Sequence, residues 1–74
     1  MNICGERIRK QRLAIDLKQV DFAAALDVDY NIKLDQSDIS EIERGTRGVR
    51  DYELKAFAEI LGVSVEWLIY GKSR

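Results

Sequence analysis

The chain has 74 residues, enough for one domain and too few for two, because so short a chain buries only about 60 to 65% of the surface that its unfolded form exposes. Its apolar fraction is 46% and its charged fraction 34%, which is typical of soluble globular domains and excludes disordered, collagenous and membrane classes. One cysteine and no histidine exclude an intrachain disulfide and a Cys/His metal site. No stretch resembles a transmembrane span or a signal peptide. We therefore expect a cytoplasmic domain with no cofactor or metal, stabilised by its packing.

The charges are segregated along the chain, although the formal net charge is only −1. Residues 1–15 sum to +3, residues 16–43 to −6, residues 44–50 to +3 and the remainder to −1. Domains that bind nucleic acid are usually basic, so the net charge alone argues weakly against such a partner. The segregation nevertheless allows a local basic patch on an acidic protein.

The first two predicted helices are indicated by the spacing of apolar residues. Helix one spans about residues 4–15, with Asn2 as its candidate N-cap. Its approximate apolar face consists of Ile3, Ile8, Ala14, Ile15 and Leu17. Helix two spans about residues 18–28, where three consecutive alanines raise the helix propensity. Its apolar residues at helical spacing are Val20, Ala23, Ala24 and Leu26.

The last three predicted helices are indicated by their end signals. Asp35 and Asp38 resemble a capping box with a shorter acid in the second role, so helix three spans about residues 35–44 and ends at Gly45. Helix four spans about residues 51–61, with acidic residues at its positive end and a glycine after it. Ser64 caps helix five, about residues 64–70, which Gly71 closes. Between helices two and three, Asn31 favours a left-handed turn.

An enzymatic function is disfavoured by the residue types present. The sequence has no Ser/His or Cys/His pair and no glycine-rich phosphate loop. Its carboxylates are more simply explained as solvated surface charge, and Cys4 as an inert apolar residue. We predict that the chain is not an enzyme.

The segment that carries most information is Ile-Ser-Glu-Ile-Glu-Arg-Gly at residues 39–45. It resembles the third helix of phage repressor and Cro-like helix-turn-helix regulators, the type that includes xenobiotic-response-element proteins. Residues 8–12 resemble the first helix of that family, residues 18–23 the start of its second, and residues 54–68 its last two. The resemblance implies an all-α, five-helix, repressor-like DNA-binding domain with a helix-turn-helix, spanning residues 1–74.

Two features depart from the family pattern. More residues separate Val28 from Ile39 than the family usually places there. We expect a longer second helix followed by an extended turn, with Ile32 and Leu34 tucked over the core. The third helix is also acidic, which opposes its approach to phosphates. The residues that make it acidic are Asp35, Asp38 and Glu41.

The resemblance implies two classes of DNA contact. Base edges in the major groove would be contacted by Gln36, Ser37 and Glu41. Phosphates would be contacted by Lys18, Gln19, Arg44, Thr46, Arg47 and Arg50. Glutamine can pair with adenine, and a carboxylate can accept from the amino group of cytosine. An exposed polar side chain needs no DNA to explain it, and this alternative stays open, most of all for Glu41.

Two further contacts are expected. The resemblance implies an ion pair between Arg12 and Glu43 that joins helix one to helix three. The last helix carries more apolar surface, at Trp67, Ile69 and Tyr70, than so short an element can bury, which predicts a homodimer. The alternative, in which Trp67 fills the core of its own domain, is equally consistent with the sequence.

The function predicted is sequence-specific binding of double-stranded DNA by a small repressor-type transcriptional regulator. The alternative is a protein-interaction module, such as an antitoxin-like or regulatory partner, that uses its acidic third helix against a basic protein. Charge geometry separates the two. DNA binding requires the basic residues of helix one and of residues 44–50 to frame one face.

Overall fold

The computed structural model describes residues 3–72, which form five α-helices and no strand. The helices are α1 (Gly5–Ala14), α2 (Gln19–Tyr30), α3 (Gln36–Arg44), α4 (Asp51–Leu61) and α5 (Val65–Tyr70). None of these helices, taken over the described part of the chain, is long and apolar enough to cross a membrane. The predicted all-α, five-helix fold is confirmed.

Helix ends follow the local signals in the sequence. The side chain of Asp35 accepts a hydrogen bond from the Asp38 backbone N–H at 2.9 Å, and the Asp38 side chain accepts from the Asp35 N–H at 3.0 Å. This capping box starts α3, and the Ser64 hydroxyl caps α5 in a similar way. α3, α4 and α5 each end at a glycine with a positive φ.

The beginning of α1 differs from the prediction. Asn2, the candidate cap, lies outside the described residues. Cys4 takes the N-cap position, and its side chain makes no capping hydrogen bond among the residues described.

The connection between α2 and α3 follows a 12-residue α2 and is five residues long. α2 continues to Tyr30, two residues beyond the predicted end, and Asn31 then adopts a left-handed conformation with φ 55°. Residues 31–35 form the turn that leads into α3. Ile32 is buried in this turn and Leu34 packs against the core. The long spacing between Val28 and Ile39 is therefore taken up by extra helix and extra turn.

The core lies between α1 and α2, which pack against both α3 and α4, and α5 packs against α4. Phe22 and Phe57 meet at its centre, with ring centroids 5.2 Å apart and planes inclined by 56°. The other buried apolar residues are Cys4, Ile8, Ala23, Leu26, Ile32, Ile39, Ile42, Ala56, Ala58, Leu61 and Leu68.

The predicted apolar face of helix one is wrong in part. Ile3 is 70% exposed and Ile15 44% exposed, and Ala14 is exposed as well. α1 instead buries Ile8 and Arg12 against the core. A charged residue occupies an inward position, so the spacing of apolar residues alone misplaced the face.

The predicted face of helix two needs a similar correction. Val20 is 55% exposed and Ala24 is exposed. The buried face consists of Phe22, Ala23 and Leu26, because the largest apolar side chain of the helix sets the side that packs.

Arg12 and Glu43 form a buried ion pair between α1 and α3. The distance from Arg12 Nε to Glu43 Oε2 is 2.6 Å, and that from Nη2 to Oε1 is 3.0 Å. The remaining Arg12 nitrogen, Nη1, donates to the Leu17 carbonyl at 2.8 Å. Both charged side chains are almost fully buried, so their geometry and hydrogen bonding must offset the cost of removing them from water.

We expect Arg12→Met to lower the free energy of unfolding by about 3 kcal/mol, because Glu43 would stay buried without its cationic partner. Urea denaturation would measure the loss. The control is Arg9→Met on the exposed side of the same helix, with an expected change of about 0.5 kcal/mol or less. Equal losses for the two variants would contradict the prediction.

Candidate nucleic-acid interface

α3 presents a polar edge beside the N-terminus of α2. The side of α3 that carries Ile39, Ile42 and Glu43 is buried. Beside this buried side, a shallow groove open to solvent runs between α3 and the start of α2. This groove is lined by Gln19, Asp35, Gln36, Ser37 and Ser40. The packing of α3 thus turns its polar residues away from the core.

Gln36 and Gln19 belong to one chain of hydrogen bonds. Gln36 Nε2 donates to Gln19 Oε1 at 3.4 Å, and Gln19 Nε2 donates to Glu43 Oε1 at 3.0 Å. Glu43 is therefore shared between Arg12 and Gln19. Gln19, predicted as a phosphate contact, bridges α2 and α3 from a half-buried position. Among the described residues nothing donates to Gln36 Oε1, so the carbonyl end of the exposed amide is available to a ligand.

Ser40 lines the same groove and was missed from the sequence. It lies one helical turn after Gln36, a spacing that places both on one side of α3 and could have identified it. Its hydroxyl accepts a hydrogen bond from the Arg44 guanidinium. The Arg44 side chain therefore extends toward the N-terminal end of α3.

Glu41 and Thr46 lie outside this groove. The Glu41 side chain is exposed. Exposure is consistent both with contact to a base and with a solvated side chain that binds nothing. Its backbone carbonyl accepts from the Thr46 N–H at 3.0 Å and from the Thr46 hydroxyl at 3.2 Å. The Thr46 hydroxyl thus closes the end of α3, although the residue itself stays exposed.

Arg47, predicted to contact a phosphate, is turned toward α4. Its Nη1 lies 3.2 Å from Glu53 Oε1 and its Nη2 lies 3.1 Å from Glu53 Oε2. The buried Glu53 carboxylate also accepts from the Arg50 backbone N–H at 2.9 Å. No carboxylate occurs within residues 44–50, but α4 supplies one by folding back on them. Arg47 thus holds the loop between α3 and α4 in place.

Glu53 and Arg47 each stabilise the charged form of the other. Burial raises the pKa of the Glu53 carboxyl, but hydrogen bonds from Arg47 and from the Arg50 N–H outweigh burial, and the pKa lies below its ordinary value. The bond to Glu53 in turn raises the pKa of Arg47. Both groups are ionised at neutral pH.

The other cations predicted to contact phosphate are exposed. Arg50 keeps 61% of its side chain exposed although it touches Glu53, and Lys18 and Arg44 are exposed as well. The first turn of α1 lies beside the end of α3. Together they line a concavity that includes Arg7, Arg44 and Thr46. One basic residue of helix one, Arg7, therefore lies at the same concavity as Arg44, together with the carboxylates of Glu6 and Glu43.

We expect Glu53→Gln to lower the free energy of unfolding at neutral pH by about 2 kcal/mol, because Arg47 loses a charged acceptor. The folded-state pKa of Glu53 lies below its ordinary value of 4.5. Its contribution is therefore complete above pH 4.5 and is lost as the pH falls through the folded-state pKa. The stabilities of the wild type and of Glu53→Gln should therefore converge at acidic pH. Denaturation of both proteins at several acidic pH values would measure this. Glu66→Gln, at an exposed site, is the control, and a pH-independent difference would refute the prediction.

Comparison with known proteins agrees with this geometry. Residues 8–68 match the helix-turn-helix family. The chain is similar in fold to the P22 c2 repressor. The crystal structure of that repressor is of its complex with synthetic operator 9T in the presence of Tl+. The TM-score is 0.80 at 24% identity, covering 97% of this chain and 100% of that one. No curated protein matches the sequence. Because the family match spans most of the chain, the protein belongs to the helix-turn-helix family, as its third helix indicated.

Proposed function

We propose that the protein is a repressor-type transcriptional regulator that binds double-stranded DNA sequence-specifically, with no catalytic step. The observation that carries this proposal is the exposed polar edge of α3, led by Gln36 and held at a fixed orientation to α2. This is the arrangement in which a recognition helix enters the major groove. Membership in the helix-turn-helix family supports it, as does the operator bound by the similarly folded P22 c2 repressor.

Base contacts would come from the groove side of α3. With one Nε2 hydrogen directed to Gln19, Gln36 can still donate its second hydrogen and accept through Oε1. That pair of functions matches N7 and the amino group of adenine. The hydroxyl groups of Ser37 and Ser40 can each donate or accept a hydrogen bond. Glu41, which lies outside the groove but is exposed on α3, would accept from the amino group of cytosine.

Phosphate contacts would come from the flanks of α3. Lys18, Arg44 and Arg50 are exposed cations. No side chain of the described residues caps α2, so the first amides of that 12-residue helix point outward, as at an anion site. Gln19 lies at this helix start, and Thr46 lies in the loop that Arg47 braces. Arg47 would therefore act on phosphate binding through the shape of the loop.

Selection of binding sites from random duplex DNA would test the proposal. The expected outcome is enrichment of one sequence that contains adenine at the position nearest Gln36. A Gln36→Ala protein, taken through the same selection, should lose the preference at that position only. Failure of the wild type to enrich any sequence would favour the protein-interaction alternative.

Gln36→Ala and Arg50→Ala should affect DNA binding differently. Gln36→Ala should cost roughly 1 to 3 kcal/mol on the selected site and little on random DNA, because the lost contacts are to one base. Arg50→Ala should weaken binding to all sequences alike and reduce the salt slope by about one unit, since a phosphate contact carries charge and no base information. Titrations at several salt concentrations would measure both effects.

Two further variants sharpen this prediction. Glu41→Gln should tighten non-specific binding by relieving its repulsion with phosphates. Arg47→Ala should lower the stability of the fold along with the DNA affinity, because Glu53 would lose its partner. If neither Gln36→Ala nor Arg50→Ala changed the affinity at low salt, docking of α3 in the groove would be wrong.

We further propose that the protein forms a two-fold homodimer through α5. Trp67 and Ile69 are only half-buried, and Tyr70 is 61% exposed. Trp67 packs partly against its own core, so the core accounts for only part of this apolar surface. A dimer would place two recognition helices on two half-sites of an operator.

Sedimentation at micromolar concentration would test the dimer. Tyr70→Glu should shift the equilibrium to monomer, because a charge would be buried in the interface. Tyr52→Glu is the matched control, since Tyr52 is 55% exposed on another helix. A wild type that is monomeric both free and on DNA would exclude the dimer.

A further inference from the structure

α5 is too short to be stable without tertiary support. It has six residues, whereas isolated helices shorter than about 12 residues are marginal in water. Ser64 caps its N-terminus, and Leu68 anchors one side in the core. Its outer side carries the residues proposed for the dimer interface. The position of that interface therefore depends on how the C-terminal end of α5 is held.

Arg7 of α1 holds that end. Its Nη1 donates to the Leu68 carbonyl and to the Ile69 carbonyl, both at 3.1 Å. These carbonyls belong to the last turn of α5, which has no following turn to satisfy them. A guanidinium also places positive charge at the negative end of the helix dipole.

Gly71 leaves room for this contact. A Cβ atom at position 71 would lie 2.8 Å from both Nε and Nη2 of Arg7. Gly71 also has a φ of 78°, which favours glycine at the end of the helix. The backbone of residue 71 thus passes directly against the Arg7 guanidinium.

Two other side chains of α1 contact α4 and α3. Gln11, one turn after Arg7, donates from Nε2 to the Leu61 carbonyl at the end of α4, at 3.0 Å. Arg12 pairs with Glu43 of α3. α1 therefore connects the ends of α4 and α5 to the helix proposed to read DNA.

We propose that Arg7 is a positioning residue for the homodimer. It sets the direction of the α5 face relative to α1, and through the pair of Arg12 with Glu43 it sets that direction relative to α3. The spacing of the two recognition helices in a dimer then depends on Arg7. This role rests on the dimer proposed above, and the bonds to two carbonyls of α5 carry it.

Backbone amide exchange on the free protein tests the contact itself. Arg7→Gln should accelerate exchange at Leu68 and Gly71 by about tenfold while exchange at Phe57 in α4 stays unchanged, because only the last helix is released. Arg9→Gln removes the same charge from an exposed site and should change none of these rates. Arg7→Lys should fall between the wild type and Arg7→Gln, since a lysine keeps the charge and loses the planar fork.

Sedimentation of the same variants without DNA tests the role in the dimer. Arg7→Gln should raise the dimer dissociation constant by about tenfold, whereas Arg9→Gln should leave it unchanged. A dimeric wild type whose Arg7→Gln variant keeps both its α5 exchange rates and its dissociation constant would overturn the role of Arg7 alone. A monomeric wild type would overturn the dimer and this role together.

Discussion

The Glu43 carboxylate joins three helices through two acceptor oxygens. It pairs with Arg12 of α1 and accepts from Gln19 of α2, while belonging to α3 itself. Apolar contacts could hold these helices in several rotational settings, because burial is non-directional. A buried carboxylate tolerates only the setting in which its partners lie within hydrogen-bond distance, since losing one partner leaves a desolvated charge. The orientation of α3 relative to α2, on which the proposed DNA contacts depend, follows from this constraint.

Features that depend on neighbours within about four residues could be predicted from the sequence. The caps at Asp35 and Ser64 and the glycine that ends α3 have local causes, and the structure forms them as predicted. The bounds of α4 match as well. The faces of α1 and α2 could be predicted only in part. Which side of a helix is buried depends on the helices around it, and Arg12 lies on an inward side that apolar spacing does not reveal.

In the proposed site, too, features with local causes could be predicted and those that depend on tertiary contacts could not. The place of Gln36 in the first turn of α3 follows from the capping box that Asp35 and Asp38 form around it. The bond from Gln19 to Glu43 spans 24 residues of sequence, and no local pattern indicates it. The pairing of Arg47 with Glu53 was not predicted for a related reason, because Glu53 lies on the next helix. The basic run of residues 44–50 was visible in the sequence, but the direction of each guanidinium depends on tertiary neighbours.

Buried ion pairs leave the net charge unchanged, so the local placement of exposed charges decides how an acidic protein could present a surface to DNA. Glu43 and Glu53 are buried against Arg12 and Arg47, and each pair contributes little field at the surface. Arg44, Arg50 and Lys18 remain exposed around α3, where a phosphate would meet them. Asp35 and Asp38 hydrogen-bond to backbone amides at the positive end of α3, which offsets part of their charge. Because the net charge is −1, DNA binding would depend more on the placement of individual groups than on total charge.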